Sequence, residues 1–414
     1  MNAAVIWSED FLSYRWAHTH PMNPVRLALT MTLAQSLGVL DEVDVSPPLD
    51  IGDDALTVVH SQDYIDAVRA VGSGTASLSG PLLERLFGLG DSDNPVFDGM
   101  HEAARLLVGG TLAAAQAVGS GAVRRAVNIG GGMHHAMRAR AAGFCIYNDC
   151  AVAIHWLLEN GFDRIAYIDI DAHHGDGVQV AFAADPRVMT VSLHQHPATL
   201  WPGTGWPTEV GDDAAEGSAV NVALMPDTQD RLWLRAFHAV VPSLIAEFKP
   251  QIIISQCGAD SHRADPLTDL SLTVDGQRAA MIAMRDLAEK YCDGRWIAVG
   301  GGGYGVVNVV PRSWSHLLGV VLDRDVDVTT PINETWCATA EQIATQVHSE
   351  YSQAPVRVMG DNGDVDFVEW DGDTGQEPPP GIDDSAQRQT DRAIMATRRA
   401  VYPLHGLDPE DPRD

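Results

Sequence analysis

The 414-residue chain is short of the features that sort proteins most quickly. Five cysteines, Cys145, Cys150, Cys257, Cys292 and Cys337, make an odd number with no CxxC pair, which excludes a thiolate zinc ribbon and suits reduced thiols in a cytosol. Basic residues are scarce: 27 Lys plus Arg face 56 Asp plus Glu, for a formal charge of -29. Such a surface repels phosphate backbones, so direct nucleic-acid binding is set aside, while a cationic protein segment or polyamine would still be drawn toward it. The opening MNAAVIWSEDFLSYRW has neither a basic start nor a long apolar run. It reads as neither signal peptide nor membrane span, and the expectation is a soluble cytoplasmic protein with no membrane partner. No internal repeat is present.

What the chain does have is alternation. Short β-branched or apolar runs recur: AVNI from Ala126, RIAYIDI from Arg164, VMTVSL from Val188, AVNVAL from Ala219, QIIISQ from Gln251 and WIAV from Trp296. They read as buried parallel strands. Amphipathic stretches between them, 99–118, 150–160, 229–248 and 274–291, supply crossovers that cover both faces. The class is α/β, doubly wound, and ligands in such sheets sit beyond the carboxyl ends of the strands. Polar clusters stand at those ends: GGGMHHA after AVNI, DIDAHHGDG closing RIAYIDI, CGADSHRADP after QIIISQ and GGGGY after WIAV. One shared site is the economical reading.

The residues in these clusters point to metal-assisted hydrolysis. Asp171 and His173 lie two apart at a strand end, so both side chains leave one face and bind one ion. Asp260 completes a set of three ligands, which leaves a position open for water and substrate oxygen, as in a catalytic rather than a structural site. Two oxygens and one nitrogen suit zinc and also permit ferrous iron or cobalt. His134 and His135, adjacent after three glycines, point to general acid and base work, because imidazole titrates near working pH. Asp169 and Asp176 are the carboxylates available to orient the two rings. Tyr304, on its glycine turn, is placed to donate its hydroxyl to a carbonyl oxygen as charge develops there. Taken singly, a His or Asp is more often a cap, turn or satisfied core group; His18, His60, His101, His155 and His238 read as surface or packing histidines, and the thiols read as small core groups. GGGGY alone suggests a phosphate loop, but no Lys-Ser or Lys-Thr follows.

Together GGGMHHA, YIDIDAHHGDG, QCGADSHRADP and GGGGY resemble the histone-deacetylase superfamily, and within it the bacterial acetoin-utilization, AcuC-like branch. HPMNPVR from His20, VVHSQDYI from Val58, DNPVFDG from Asp93, GFCIYND from Gly143, VSLH from Val191 and WPGTG from Trp201 extend the match over about residues 18 to 320. The resemblance implies the arginase-deacetylase fold, with a parallel sheet of about eight strands. It implies a deacetylase catalytic domain over 1–355, leaving 356–414 as an acidic linker and a helical tail. In that tail SAQRQTDRAIMATRRAV reads as one helix and LDPEDPRD as a frayed end.

By resemblance Asp171, His173 and Asp260 hold the metal, Asp169 backs His134, and Asp176 backs His135. His135 is the acting base and acid, His134 is chiefly electrostatic, and Tyr304 polarises the acetyl carbonyl. Phe144 and Trp201 would flank the acyl-lysine stem with Gly143 and Gly302 beside it, Trp201 standing where the family more usually has Phe. Asp93 matches a rim carboxylate that accepts N–H bonds from a peptide substrate. A potassium ion is implied at Asp169, the Ser192 hydroxyl and the carbonyls of Asp171, His173 and Leu193. The related two-manganese arginases need extra carboxylates where this chain has Gly175 and Gly258, which favours one ion. The implied activity removes acetyl from N-ε-acetyl-lysine in an acetylated protein or peptide partner, with acetyl-CoA synthetase as the suggested target. An acetylpolyamine or other small acyl-amide hydrolase is the rival enzyme. A non-catalytic acetyl-lysine binder is disfavoured, since every matched catalytic position is intact.

Overall fold

The computed structural model describes residues 2–17, 19–347, 351, 353–372 and 383–414. Its centre is an eight-stranded sheet formed by β1 (Ala3–Ile6), β2 (Val45–Ser46), β3 (Arg125–Asn128), β4 (Ile165–Asp169), β5 (Val188–Gln195), β6 (Ala219–Leu224), β7 (Ile252–Gln256) and β8 (Trp296–Val299). Every pairing is parallel, in the order β2-β1-β3-β8-β7-β4-β5-β6. Parallel strands are feasible only when helices bury both faces, and from β3 to β8 every strand residue is indeed buried. Six of these strands are the runs expected from sequence. The other two lay outside those runs: β1 is the four residues Ala3–Ile6 near the start of the sequence, and β2 is only two residues long, too short for an apolar period to register.

The expected crossover helices form at Met100–Gly119, Asp149–Glu159, Asp230–Phe248 and Val274–Tyr291. Their starts tie local chemistry to the site. Asn148 caps the second of them by accepting the Ala151 N–H at 2.9 Å, and its amide donates back to the Ala136 carbonyl at 3.1 Å, fastening the turn that carries the paired histidines. Asp149, next along, is wholly buried and accepts from the backbone N–H of Gly132 and Met133 at 2.9 and 2.7 Å.

Strand order positions the site. The chain's last strand, β8, inserts between β3 and β7, with β4 beyond, so the four strands preceding the four polar clusters are consecutive neighbours in the sheet. Asn128, Val299, Gln256, Asp169 and Ser192 stand in one register row across them. At roughly 4.8 Å per strand, the loops that follow this row are close enough to share one site.

The C-terminal stretch departs from expectation. Residues 361–371, read as linker, lie on the body: buried Arg235 donates to the carbonyls of Val368 and Glu369 at 2.8 Å and to Asp391 at 2.7 Å, and Trp370 is buried. The tail helix is Asp384–Val401. The final residues, expected to fray, are gathered by one guanidinium: Arg398 donates to the carbonyls of Asp411 and Pro409 at 2.6 and 2.8 Å while stacking over Trp370 and Tyr402. Hydrophilic composition concealed this, because a single Arg with many donors substitutes for apolar packing. The proline run expected within the linker lies outside the described residues. No helix among those described is long and apolar enough to cross a membrane.

Candidate active site

The carboxyl edge brings Asp171, His173 and Asp260 together. The His173 Nδ1 lies 3.1 Å from Asp171 Oδ1 and 3.0 Å from Asp260 Oδ2, and the three ligand atoms fall within 4.8 Å of one another. How they meet corrects the strand-alternation reading. β4 ends at Asp169, and Asp171 bends the chain by accepting the His173 backbone N–H at 2.9 Å. A turn, not a pleat, aims both side chains inward.

Glycines permit the crowding. A methyl group on Gly302 would sit 2.2 Å from Asp260 Oδ2, and one on Gly258 would sit 2.2 Å from Asp171 Oδ2. At Gly175 it would meet Asp169 Oδ2 at 2.3 Å. The positions where a two-metal site would need carboxylates thus have no room for any side chain. Gly302 also gives its N–H to Asp171 Oδ2 at 2.8 Å.

The donor set fits a divalent cation. Asp171 and Asp260 are fully buried, and burial together with Asp171's charge pushes the Asp260 carboxyl up to about 7. Against its own desolvation, His173 is driven up to about 10 by the same two carboxylates. Buried carboxylates this close demand positive charge between them, and a hard or borderline ion on two oxygens and one nitrogen meets that demand.

Next to this centre stand two histidine–carboxylate pairs. The Nδ1 of His134 lies 2.7 Å from Asp169 Oδ2, and that of His135 lies 2.7 Å from Asp176 Oδ1. Each bond leaves Nε2 free on the other side of the ring. Burial opposes charge on both rings, yet Asp169 and then Asp171 raise His134 to about 9. In His135, burial and the neighbouring His134 charge win, lowering it to about 4. The two rings are thus pushed in opposite directions, His134 toward its cationic form and His135 toward its neutral one.

Tyr304 is buried, and burial with the charges of Asp260 and Asp171 keeps its phenol protonated, hence a donor. Phe144 packs edge-on against Tyr304 at 5.6 Å between ring centroids, and Trp201 packs edge-on against His135 at 4.6 Å. The two aromatic residues therefore flank the centre from opposite partners. A side chain on Gly143 would strike His135 at 2.5 Å and the Trp201 ring at 2.7 Å, so this glycine leaves the room between them. Trp201 remains 46% exposed. Exposed Asp93 is linked to Phe144 through His20: its carbonyl lies 3.1 Å from His20 Nε2, and the His20 ring packs on Phe144 at 4.7 Å. Ser192 is the register neighbour of Asp169 on β5, with Leu193 next, and its hydroxyl lies 2.9 Å from His194 Nδ1.

Other site residues lay inside quoted motifs without a role. Gln256 gives its amide to Asp171 Oδ2 at 2.7 Å, Asp265 accepts the Tyr304 backbone N–H at 2.7 Å, and Arg26 donates to the Gly303 carbonyl at 2.8 Å. Their partners are remote in sequence, so only proximity to the metal ligands in QCGADSHRADP signalled the first two. Of the histidines read as surface or packing groups, His60 and His101 are buried and hydrogen-bonded, His155 is half-buried and His238 exposed, while His18 lies outside the described residues. All five thiols are free and buried.

A parallel α/β sheet whose central loops gather an Asp–His–Asp group able to hold a cation beside two carboxylate-oriented imidazoles suits a hydrolase. The profile described as the histone deacetylase domain matches residues 20–321, and the chain belongs to that family. It is 44% identical over 317 residues to the acetoin utilization protein AcuC of Bacillus subtilis (strain 168), covering 76% of this chain and 81% of that protein. The protein of the same name from Staphylococcus aureus (strain MSSA476) is 39% identical over 323 residues, 78% and 82% of the two chains. An HDAC homolog from Aquifex aeolicus superposes with a TM-score of 0.78 at 26% identity, covering 95% of this chain and all of that one. The protein is an AcuC-like hydrolase of the deacetylase family.

Proposed function

We propose that the chain hydrolyses the acetyl amide of N-ε-acetyl-lysine in proteins, releasing acetate and free lysine. The observation that carries this is the buried Asp171–His173–Asp260 centre standing beside two histidines, each held at Nδ1 by its own carboxylate at 2.7 Å. A zinc ion is the occupant we assign, Fe2+ or Co2+ being compatible with the same donors, and a potassium ion is assigned to Asp169, Ser192 and the carbonyls of Asp171, His173 and Leu193. When bound, the divalent ion supplies Lewis acidity to the acyl carbonyl and to the attacking water.

The chain's own groups do the rest. His135, neutral and oriented by Asp176, takes a proton from water at Nε2 and passes it to the departing amine. His134, held cationic by Asp169, stabilises negative charge gathering at the centre. Tyr304 donates its hydroxyl to the carbonyl oxygen as it becomes anionic. Phe144 and Trp201 hold the aliphatic stem of the lysine and keep water from its flanks, while Asp93 receives N–H groups of the peptide at the rim. The acidic surface favours a cationic protein segment. The reduced, buried thiols suit a cytoplasmic enzyme. Likeness to acetoin-utilization proteins makes an acetylated metabolic enzyme such as acetyl-CoA synthetase the target to try first.

The same machinery would serve an acetylpolyamine, so the deciding test is turnover of the metal-reconstituted protein on acetyl-lysine peptides against acetylputrescine and acetylspermidine. Higher kcat/KM on peptides is expected. Preference for the polyamines assigns the rival substrate, and inactivity on every acyl-amide overturns the reading. Tyr304→Phe should lower turnover about 10²- to 10³-fold with folding intact.

A further inference from the structure

After Val321, where the family match ends, the chain returns to the active site. Gln353 reaches two of its loops at once. The Ala264 carbonyl can only accept, so the amide nitrogen faces it at 2.7 Å, and the amide oxygen accepts from Asn308 Nδ2 at 2.6 Å. Ala264 adjoins Asp265, which holds the Tyr304 backbone N–H, and lies in the turn that begins at Asp260. Asn308 stands four residues past Tyr304. One side chain therefore spans the loop of a cation ligand and the loop of the carbonyl-polarising phenol.

A second tie lies eight residues on. Asp361 Oδ2 accepts from His262 Nε2 at 2.8 Å and from the Val274 N–H at 3.0 Å, while Oδ1 receives Arg312 at 2.7 Å. The Nδ1 of His262 already accepts the Ala264 N–H at 3.0 Å, which puts its proton on Nε2, so this bond needs no change of charge. Arg312 closes the ring by donating Nε to the Asn308 carbonyl at 2.5 Å. Such bracing has a purpose, because the Tyr304 turn follows Gly301 and Gly303, both at positive φ, and glycine backbone does not hold a side chain in place unaided.

We propose that Gln353 and Asp361 form a positioning strap that fixes the Tyr304 hydroxyl relative to the Asp171–His173–Asp260 centre. The proposal rests on the role given above to Tyr304. A group that acts only on the transition state loses rate steeply when displaced by fractions of an ångström, while ground-state binding hardly changes.

The test uses the full-length metal-loaded enzyme. Gln353 is half-buried, so Gln353→Ala should fold; kcat should fall about tenfold, with KM, metal content and melting temperature unchanged. Gln353→Glu, which keeps an acceptor for Asn308 but no donor for Ala264, should lose rate similarly. In a Tyr304→Phe background Gln353→Ala should cause no further loss. A wild-type kcat for Gln353→Ala alongside a deficient Tyr304→Phe, or the same fold-loss in both backgrounds, overturns the strap and leaves the Tyr304 role standing. Full turnover by Tyr304→Phe overturns that role, and the strap with it.

Discussion

His134 and His135 each aim Nδ1 at a carboxylate 2.7 Å away, yet burial with different surroundings leaves one ring near 9 and the other near 4. Direct partners cannot explain this, since they match in chemistry and distance. The difference lies one shell out. His134 Nε2 is 3.8 Å from Asp171, and with Asp169 and Asp176 that ring answers to three carboxylates. His135 has Asp176 for its carboxylate and faces the positive charges of His134 and His173. Neighbouring rings with centroids 4.0 Å apart cannot both be charged at low cost, and the carboxylate count decides which one is. A base and an electrostatic group are thereby made from the same residue type.

Breaking the pair at its base should have the largest effect. His135→Ala should lower kcat by about 10³-fold, and His134→Ala by distinctly less. Equal losses in steady-state assays would mean the two rings share the work. Asp176→Asn, which disturbs the orientation of His135 but leaves the ring, should reduce kcat about 10- to 100-fold at unchanged metal content.

Stability against pH isolates the other dyad. Because His134 is raised from 6.5 to about 9 in the fold, its contribution is fully present below about 6.5 and disappears as pH rises through about 9. In metal-stripped protein, urea unfolding should show Asp169→Asn less stable than wild type near pH 6. That gap should narrow above pH 9; a gap that stays constant would show that Asp169 acts only through its bonds to Tyr167 and the Asp171 N–H. The smallest effect concerns Trp201, whose ring covers His135. Trp201→Ala should let water reach that imidazole and raise its pKa, moving the acid limb of kcat/KM up by about half a pH unit.

Much of the centre could be read from residue order. The clusters GGGMHHA, DIDAHHGDG, CGADSHRADP and GGGGY announced themselves because each follows a β-branched run, and glycine beside His or Asp has few uses apart from tight polar turns. The roles of Gln256, Asp265 and Gln353 had no such mark: a glutamine or aspartate whose partner lies dozens of residues away looks like any other polar group until the chain is folded. β2 escaped for want of length, and the C-terminal stretch looked like linker because its anchors are the isolated residues Trp370 and Arg398.

By itself, the order of residues determined the α/β class, the four loops able to carry chemistry and the residue types available to bind a cation, since these follow from local periodicity and from what each side chain can ligate. Tertiary structure decided the rest. Inserting β8 between β3 and β7 made the four loops neighbours, and the resulting packing of charges pushes the two imidazoles in opposite directions, His134 up and His135 down. Charge state depends on distances between groups far apart in the chain, and only the packed sheet sets those distances.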